Sequence, residues 1–144
     1  MLKKCVLACW CALPGLAMAQ DGIIKNFDAA AMEKFIQEDL KKDFAKKEDK
    51  QNQSTFYDIK DTDYYATLNT KQKFVLFFVK GNAGNLTLQK INDWNRQAIF
   101  SRAYLSNNMF YLEVPVSIGT GVTRATLKNH YDQFEAEWNK FKSQ

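Results

Sequence analysis

Cysteine is confined to one end of this chain. Among 144 residues there are three, Cys5, Cys9 and Cys11, all within the first nineteen. The rest has no thiol, which excludes a disulfide framework, thiol redox chemistry and a cysteine nucleophile there. Histidine is scarcer still. His130 stands alone, and with no cysteine and no run of carboxylates at calcium-loop spacing it builds no metal constellation. A general base would also need a positioned partner. No stretch of 18 apolar residues exists to cross a bilayer. No Walker loop or nucleophile motif appears. The formal net charge of +4 is too small for a nucleic-acid footprint. The sequence therefore predicts no catalytic residue, no metal, no cofactor and no nucleic-acid partner.

What is present suits one packed domain: 46% of residues are hydrophobic and 14% aromatic. Met1 to Ala19 reads as a secretory signal. Lys3 and Lys4 form its charged start, Cys5 to Leu13 its apolar stretch, Pro14-Gly15 a break and Ala17-Met18-Ala19 a small-x-small cleavage box. The apolar stretch is about half the length a membrane span requires. Cleavage after Ala19 would leave residues 20–144 as a single domain in the periplasm or outside the cell, with no membrane span and with no cysteine.

In that domain Met32, Phe35, Ile36, Leu40 and Phe44 mark one face of a helix from Ala29 to about Lys47, with Asp28 as its cap. Lys46 to Ser54 has no apolar residue and reads as a frayed end or a loop. Three strands follow at Thr55 to Lys60, Tyr64 to Asn69 and Phe74 to Lys80, joined by connections short enough to demand antiparallel neighbours. Thr87 can cap a second helix from Leu88 to Gln97. A hairpin then turns at Asn107-Asn108 between Ile99 to Leu105 and Met109 to Val116, since asparagine tolerates positive φ. Leu127, Tyr131, Phe134, Trp138 and Phe141 form the apolar stripe of a last helix, Arg124 to about Lys142, capped by Thr123. The expected fold is α+β, a mostly antiparallel five-stranded sheet in the order α-βββ-α-ββ-α with its helices on one face.

Strand alternation selects the candidate site. If Asn69 pairs with Phe74, then Val75, Phe77 and Val79 face the core, and Phe74, Leu76 and Phe78 are left exposed on the outer face. Three large exposed apolar side chains imply a cover. In the second hairpin the outward pairs are Tyr104 with Tyr111, Arg102 with Glu113 and Phe100 with Pro115. Aromatics interleaved with arginine have the composition of binding hot spots, although an exposed Arg102–Glu113 ion pair is equally an ordinary cross-strand contact.

Ile91-Asn92-Asp93-Trp94-Asn95-Arg96, followed by Phe100-Ser101-Arg102-Ala103-Tyr104-Leu105, by Leu112-Glu113-Val114 and by Gly121-Val122-Thr123, resembles the YbjN domain family over about Leu86 to Phe141. The resemblance implies a fold similar to the dimeric chaperones of type III secretion and a role in sensory-transduction regulation without established catalysis. Asn92, Trp94, Asn95 and Arg96 carry the motif, and each also has a structural task open to it. Trp94 can fill the gap between helix and sheet, Asn95 can end the helix in the αL conformation, and Arg96 can hold terminal carbonyls or a carboxylate.

The expected function is that of an exported, non-enzymatic binding or chaperone-like regulatory protein, which offers a sheet face to a protein or peptide client or to its own copy. The alternative class is a cell-envelope hydrolase or hydrolase inhibitor, for which the sequence offers no set of nucleophile, base and oxyanion donors.

Overall fold

Asp28 starts the first helix by accepting a hydrogen bond from the Ala31 N–H at 2.9 Å. The computed structural model describes residues 22–144, so the signal segment lies outside the described residues. Helix α1 (Ala29–Lys34) widens into a π turn (Phe35–Asp39) and stops. Lys41 then takes a φ of 54°, and Phe44–Asp49 is strand β1. The expected helix to Lys47 is therefore too long and the expected five strands become six. β1 is an edge strand whose residues are all exposed except the half-buried Phe44. Its strand state comes from backbone pairing with β2 (Ser54–Ile59), Phe44 opposite Ile59 through Asp49 opposite Ser54. Such pairing leaves no hydrophobic alternation to read. Phe44 nonetheless reaches the core, edge-on to Tyr57 at 5.5 Å.

The remaining strands are β3 (Tyr65–Asn69), β4 (Phe74–Asn82), β5 (Arg102–Ser106) and β6 (Met109–Ser117). They form one sheet in the order β1-β2-β3-β4-β6-β5, antiparallel throughout. Asn69 sits opposite Phe74 and Tyr65 opposite Phe78. Asn107 and Asn108, at φ 50° and 62°, turn the last hairpin and set Arg102 opposite Glu113 and Tyr104 opposite Tyr111. Both registers match the sequence expectation. Pro115 of β6 lies opposite Leu76 of β4, on a stretch where β6 is an edge of the sheet. A proline fits there because β5 begins only at Arg102, which leaves β6 without a neighbour on that side beyond Glu113.

Helices α2 (Leu88–Gln97) and α3 (Arg124–Lys142) are capped by Thr87 and Thr123, whose hydroxyls accept from the Lys90 and Thr126 N–H groups. Met32, Phe35 and Ile36 from α1 and the π turn, Ile91 and Trp94 from α2, and Leu127, Tyr131, Phe134 and Phe141 from α3 share one core with the inward residues of β2 to β6. All three helices among the described residues thus cover the same sheet face. Arg124 ties α3 to the π turn through Asp39 at 2.5 Å and Glu38 at 2.9 Å. Gly121 takes a φ of 95°, which L side chains rarely adopt, and a Cβ there would also come within 2.6 Å of Ile23 Cγ2. Beside it Ile24 and Val122 exchange two backbone hydrogen bonds that fasten the start of the described chain.

Candidate partner-binding face

Among the described residues no helix lies on the other sheet face. Period-2 alternation delivers Phe56, Tyr65, Phe78, Leu76 and Phe74 to that face from three adjacent strands. Phe56, Tyr65 and Phe78 form an aromatic cluster with centroid separations of 5.4, 5.5 and 6.0 Å. The Lys80 ammonium lies 4.8 Å from the Tyr65 ring and 5.2 Å from the Phe56 ring, within cation–π range. This arrangement corrects one expectation. Phe78 is only 8% exposed, and Phe74 and Leu76 are half-buried rather than exposed. The rings of the neighbouring strands lean over Phe78, so the patch shields part of its own apolar surface.

Arg102, Tyr104, Tyr111 and Glu113 come together on the same face at the β5 edge. Glu113 is 5% exposed. Its carboxylate accepts from Arg102 Nη2 at 2.5 Å and from the Tyr104 hydroxyl at 3.1 Å. Tyr104 stacks on Tyr111 at 5.0 Å with an interplanar angle of 11°, and the Arg102 guanidinium sits 6.0 Å from the Tyr104 ring. Burial first, then the negative charge of Glu113, push the Tyr104 hydroxyl up to about 12, so it stays a donor at neutral pH. Arg102 is raised by its hydrogen bond and its attraction to the same carboxylate. Phe100 does not join this cluster. It precedes β5 in a bend and is 44% exposed, so the expected pairing with Pro115 does not form. Glu137 of α3 accepts from the Phe100 and Ser101 N–H groups at 3.3 and 2.7 Å, which draws this stretch away from a ladder.

The Asn92 to Arg96 motif fastens α2 to the sheet. Trp94 is 1% exposed and packs edge-on against Phe141 at 5.2 Å, while its indole N–H donates to Ser101 Oγ at 3.1 Å. Asn95 does not end the helix, which continues to Gln97. Its carboxamide instead bonds the Ala103 backbone twice. Arg96 pairs with Asp93, which also accepts from Gln89; these contacts hold the Asp93 carboxyl below its usual range, Gln89 contributing most. Asn92 is exposed. Sequence reasoning missed Phe56, although its alternation with Thr55 and Tyr57 carried the signal. It also missed the exposure of Ile99 at 83% and Leu88 at 68%, for which local pattern holds no cue. His130 contacts the Thr126 carbonyl of its own helix at 2.9 Å. Among the described residues no group of three or more His, Cys, Asp or Glu is placed to hold a metal, and no helix is long and apolar enough to cross a membrane.

The fold is α+β, one antiparallel sheet with its helices on one face and an α2 motif that clamps an edge strand. Residues 60–144 match the YbjN family model, described as "Putative bacterial sensory transduction regulator". The chain belongs to the YbjN family. A solved structure with the same fold is "YbjN, a putative transcription regulator from E. coli", at 13% identity and a TM-score of 0.59, with 83% of this chain and 91% of that one covered. No curated protein matches the chain.

Proposed function

We propose that this YbjN-family chain is a non-enzymatic regulatory protein that acts by binding a polypeptide partner, a client or its own copy, on the uncovered sheet face. One observation carries the reading: every helix packs on the opposite face, so the half-buried Phe74 and Leu76, the Phe56–Tyr65–Phe78 cluster and the Arg102–Tyr104–Tyr111 edge share a surface that no element of the described residues covers. Aromatic and arginine side chains around apolar ones match the composition of interface centres. Each apolar side chain fully buried there supplies roughly 1.5–3 kcal/mol, and a half-buried one a part of that. The reading includes export, with cleavage after Ala19, for which the Ala17-Met18-Ala19 box is the support.

Leu76→Lys tests the face. The ammonium meets solvent in the free protein and an apolar partner in the complex, so the variant is expected to keep the wild-type circular dichroism and to lose self-association in sedimentation, or the partner enriched from envelope extract. A folded variant with wild-type association removes this face from the reading. Intact mass of the exported protein tests the export half: a chain that retains Met1 contradicts it.

A further inference from the structure

β4 outruns β3: the last pairing between them is Phe78 with Tyr65, whereas β4 continues to Asn82 against β6. Beyond that point the sheet end, the start of α2 and the C-terminal turns of α3 enclose a cavity of about 370 Å³, within the size range of small-molecule sites. Four features set its space and its chemical preference. Phe110, Trp138 and Phe141 line it as nearly parallel rings, with centroids 4.8 to 6.1 Å apart and interplanar angles of 16 to 24°. Phe110 and Phe141 are themselves 4% and 3% exposed, so the half-buried Trp138, backed by the other two rings, offers most of the accessible apolar wall. Alternation along β4 puts position 81 on the inner face opposite Phe110, where Val75, Phe77 and Val79 fill the core. The residue there is glycine, and a Cβ built on it would meet nothing within 4 Å, so the missing side chain leaves the space open.

The rim is cationic. Lys80, Lys90 and Lys142 line the cavity against a single acid, Asp63, and none of the three lysines pairs with a carboxylate among the described residues. Lys90 lies 5.4 Å from the Phe141 ring and Lys142 5.2 Å from the Trp138 ring, which places positive charge beside the same apolar surface. The Trp138 indole N–H is buried, out of contact with solvent and without a hydrogen-bond partner among the described residues, on a ring that lines the cavity.

We propose that this cavity binds a small planar aromatic anion, a carboxylate or sulfonate whose ring lies against Phe110, Trp138 and Phe141 while the rim lysines hold its charge. Its apolar wall belongs to the helix side of the sheet; Tyr65 and Lys80, at its outer rim, also belong to the partner-binding face, whereas Phe74 and Leu76 do not line it, so substitution at Leu76 separates the two sites.

The test uses anilinonaphthalene sulfonate as the aromatic anion and phenylnaphthylamine as its uncharged analogue, titrated by fluorescence and calorimetry. One sulfonate site per chain is expected. Gly81→Leu fills the space and is expected to weaken sulfonate binding about tenfold or more. The Lys90→Gln, Lys142→Gln double variant is expected to weaken the sulfonate but not the uncharged analogue, and Leu76→Lys to change neither. Nitrogen–proton spectra of the wild-type protein give a readout that needs no variant: the Trp138 indole resonance is expected to shift on sulfonate addition. An unmoved indole, a folded Gly81→Leu variant with wild-type affinity, equal loss of both probes in the lysine variant, or loss of sulfonate binding in Leu76→Lys would each overturn the proposal.

Discussion

Asn95 of α2 grips Ala103 of β5 through both ends of one carboxamide: Nδ2 donates to the Ala103 carbonyl and Oδ1 accepts from the Ala103 N–H, each at 2.8 Å. The side chain takes the place of a neighbouring strand for one residue of the sheet edge. Asn95→Ala strips a partner from both backbone groups of a residue that is 1% exposed. A loss of about 1–3 kcal/mol is expected in denaturant melts. Asn95→Asp keeps the acceptor and loses the donor, so its loss is expected to be comparable; wild-type stability in both variants would mean that the clamp contributes nothing.

The Arg102–Glu113 pair is asymmetric, with the arginine side chain 70% exposed and the glutamate 6%. Arg102→Met leaves a buried carboxylate with only the Tyr104 hydroxyl, at an expected cost of about 1–3 kcal/mol. Glu113→Leu leaves an arginine free to enter water, and less than about 1 kcal/mol is expected. Thermal melts of the two variants check the order, and the reverse order would show that the carboxylate is well solvated.

Trp94 and His130 mark the extremes of side-chain importance. Trp94→Ala removes a fully buried indole from the α2–α3 contact, for an expected loss of about 3–5 kcal/mol. His130→Ala removes a ring whose one polar contact among the described residues is within its own helix, and under about 0.5 kcal/mol is expected. Urea unfolding of both variants is the measurement.

Alkaline pH probes the tyrosines. Burial, ahead of the nearby acids, raises Tyr57 and Tyr131 well above their usual 10.0, and Tyr104 to about 12. The native state therefore holds these protons after the unfolded chain has released them. Stability is at its full value below the unfolded tyrosine value of 10.0 and falls as pH rises beyond it. Phenolate absorbance is expected to show a late cooperative step coincident with loss of circular dichroism. A smooth titration with the fold intact would place these phenols in water.

Gly121 is expected to resist replacement. Gly121→Ala sets a Cβ against Ile23 at a φ of 95°, and a cost of about 1–3 kcal/mol follows from backbone strain of this kind. Ile23 has an exposed, movable side chain, so a companion Ile23→Ala is expected to relieve the clash but not the φ penalty. Full rescue in the double variant would assign the whole effect to the clash.

The sequence by itself determined the elements that carry a period and a cap. The α3 stripe with Thr123, the α2 segment after Thr87, and the Asn107-Asn108 hairpin with its register all follow from side-chain spacing and turn chemistry. So does the division of β4, where alternation separates Val75 and Phe77 from Phe74 and Leu76 whatever the neighbouring strand. Only the tertiary structure decided the rest. β1 is a strand because β2 lies beside it, and its exposed polar residues record nothing of that pairing. Phe78 is buried by rings that arrive from β2 and β3, and Asn95 became a clamp because Ala103 came within reach. The cavity at Gly81 exists where β4 outruns β3, α2 starts and α3 ends. Local periodicity reports which side of its own element a residue takes. Burial, partners and empty space depend on what the chain brings to that side from elsewhere, and that was settled in three dimensions.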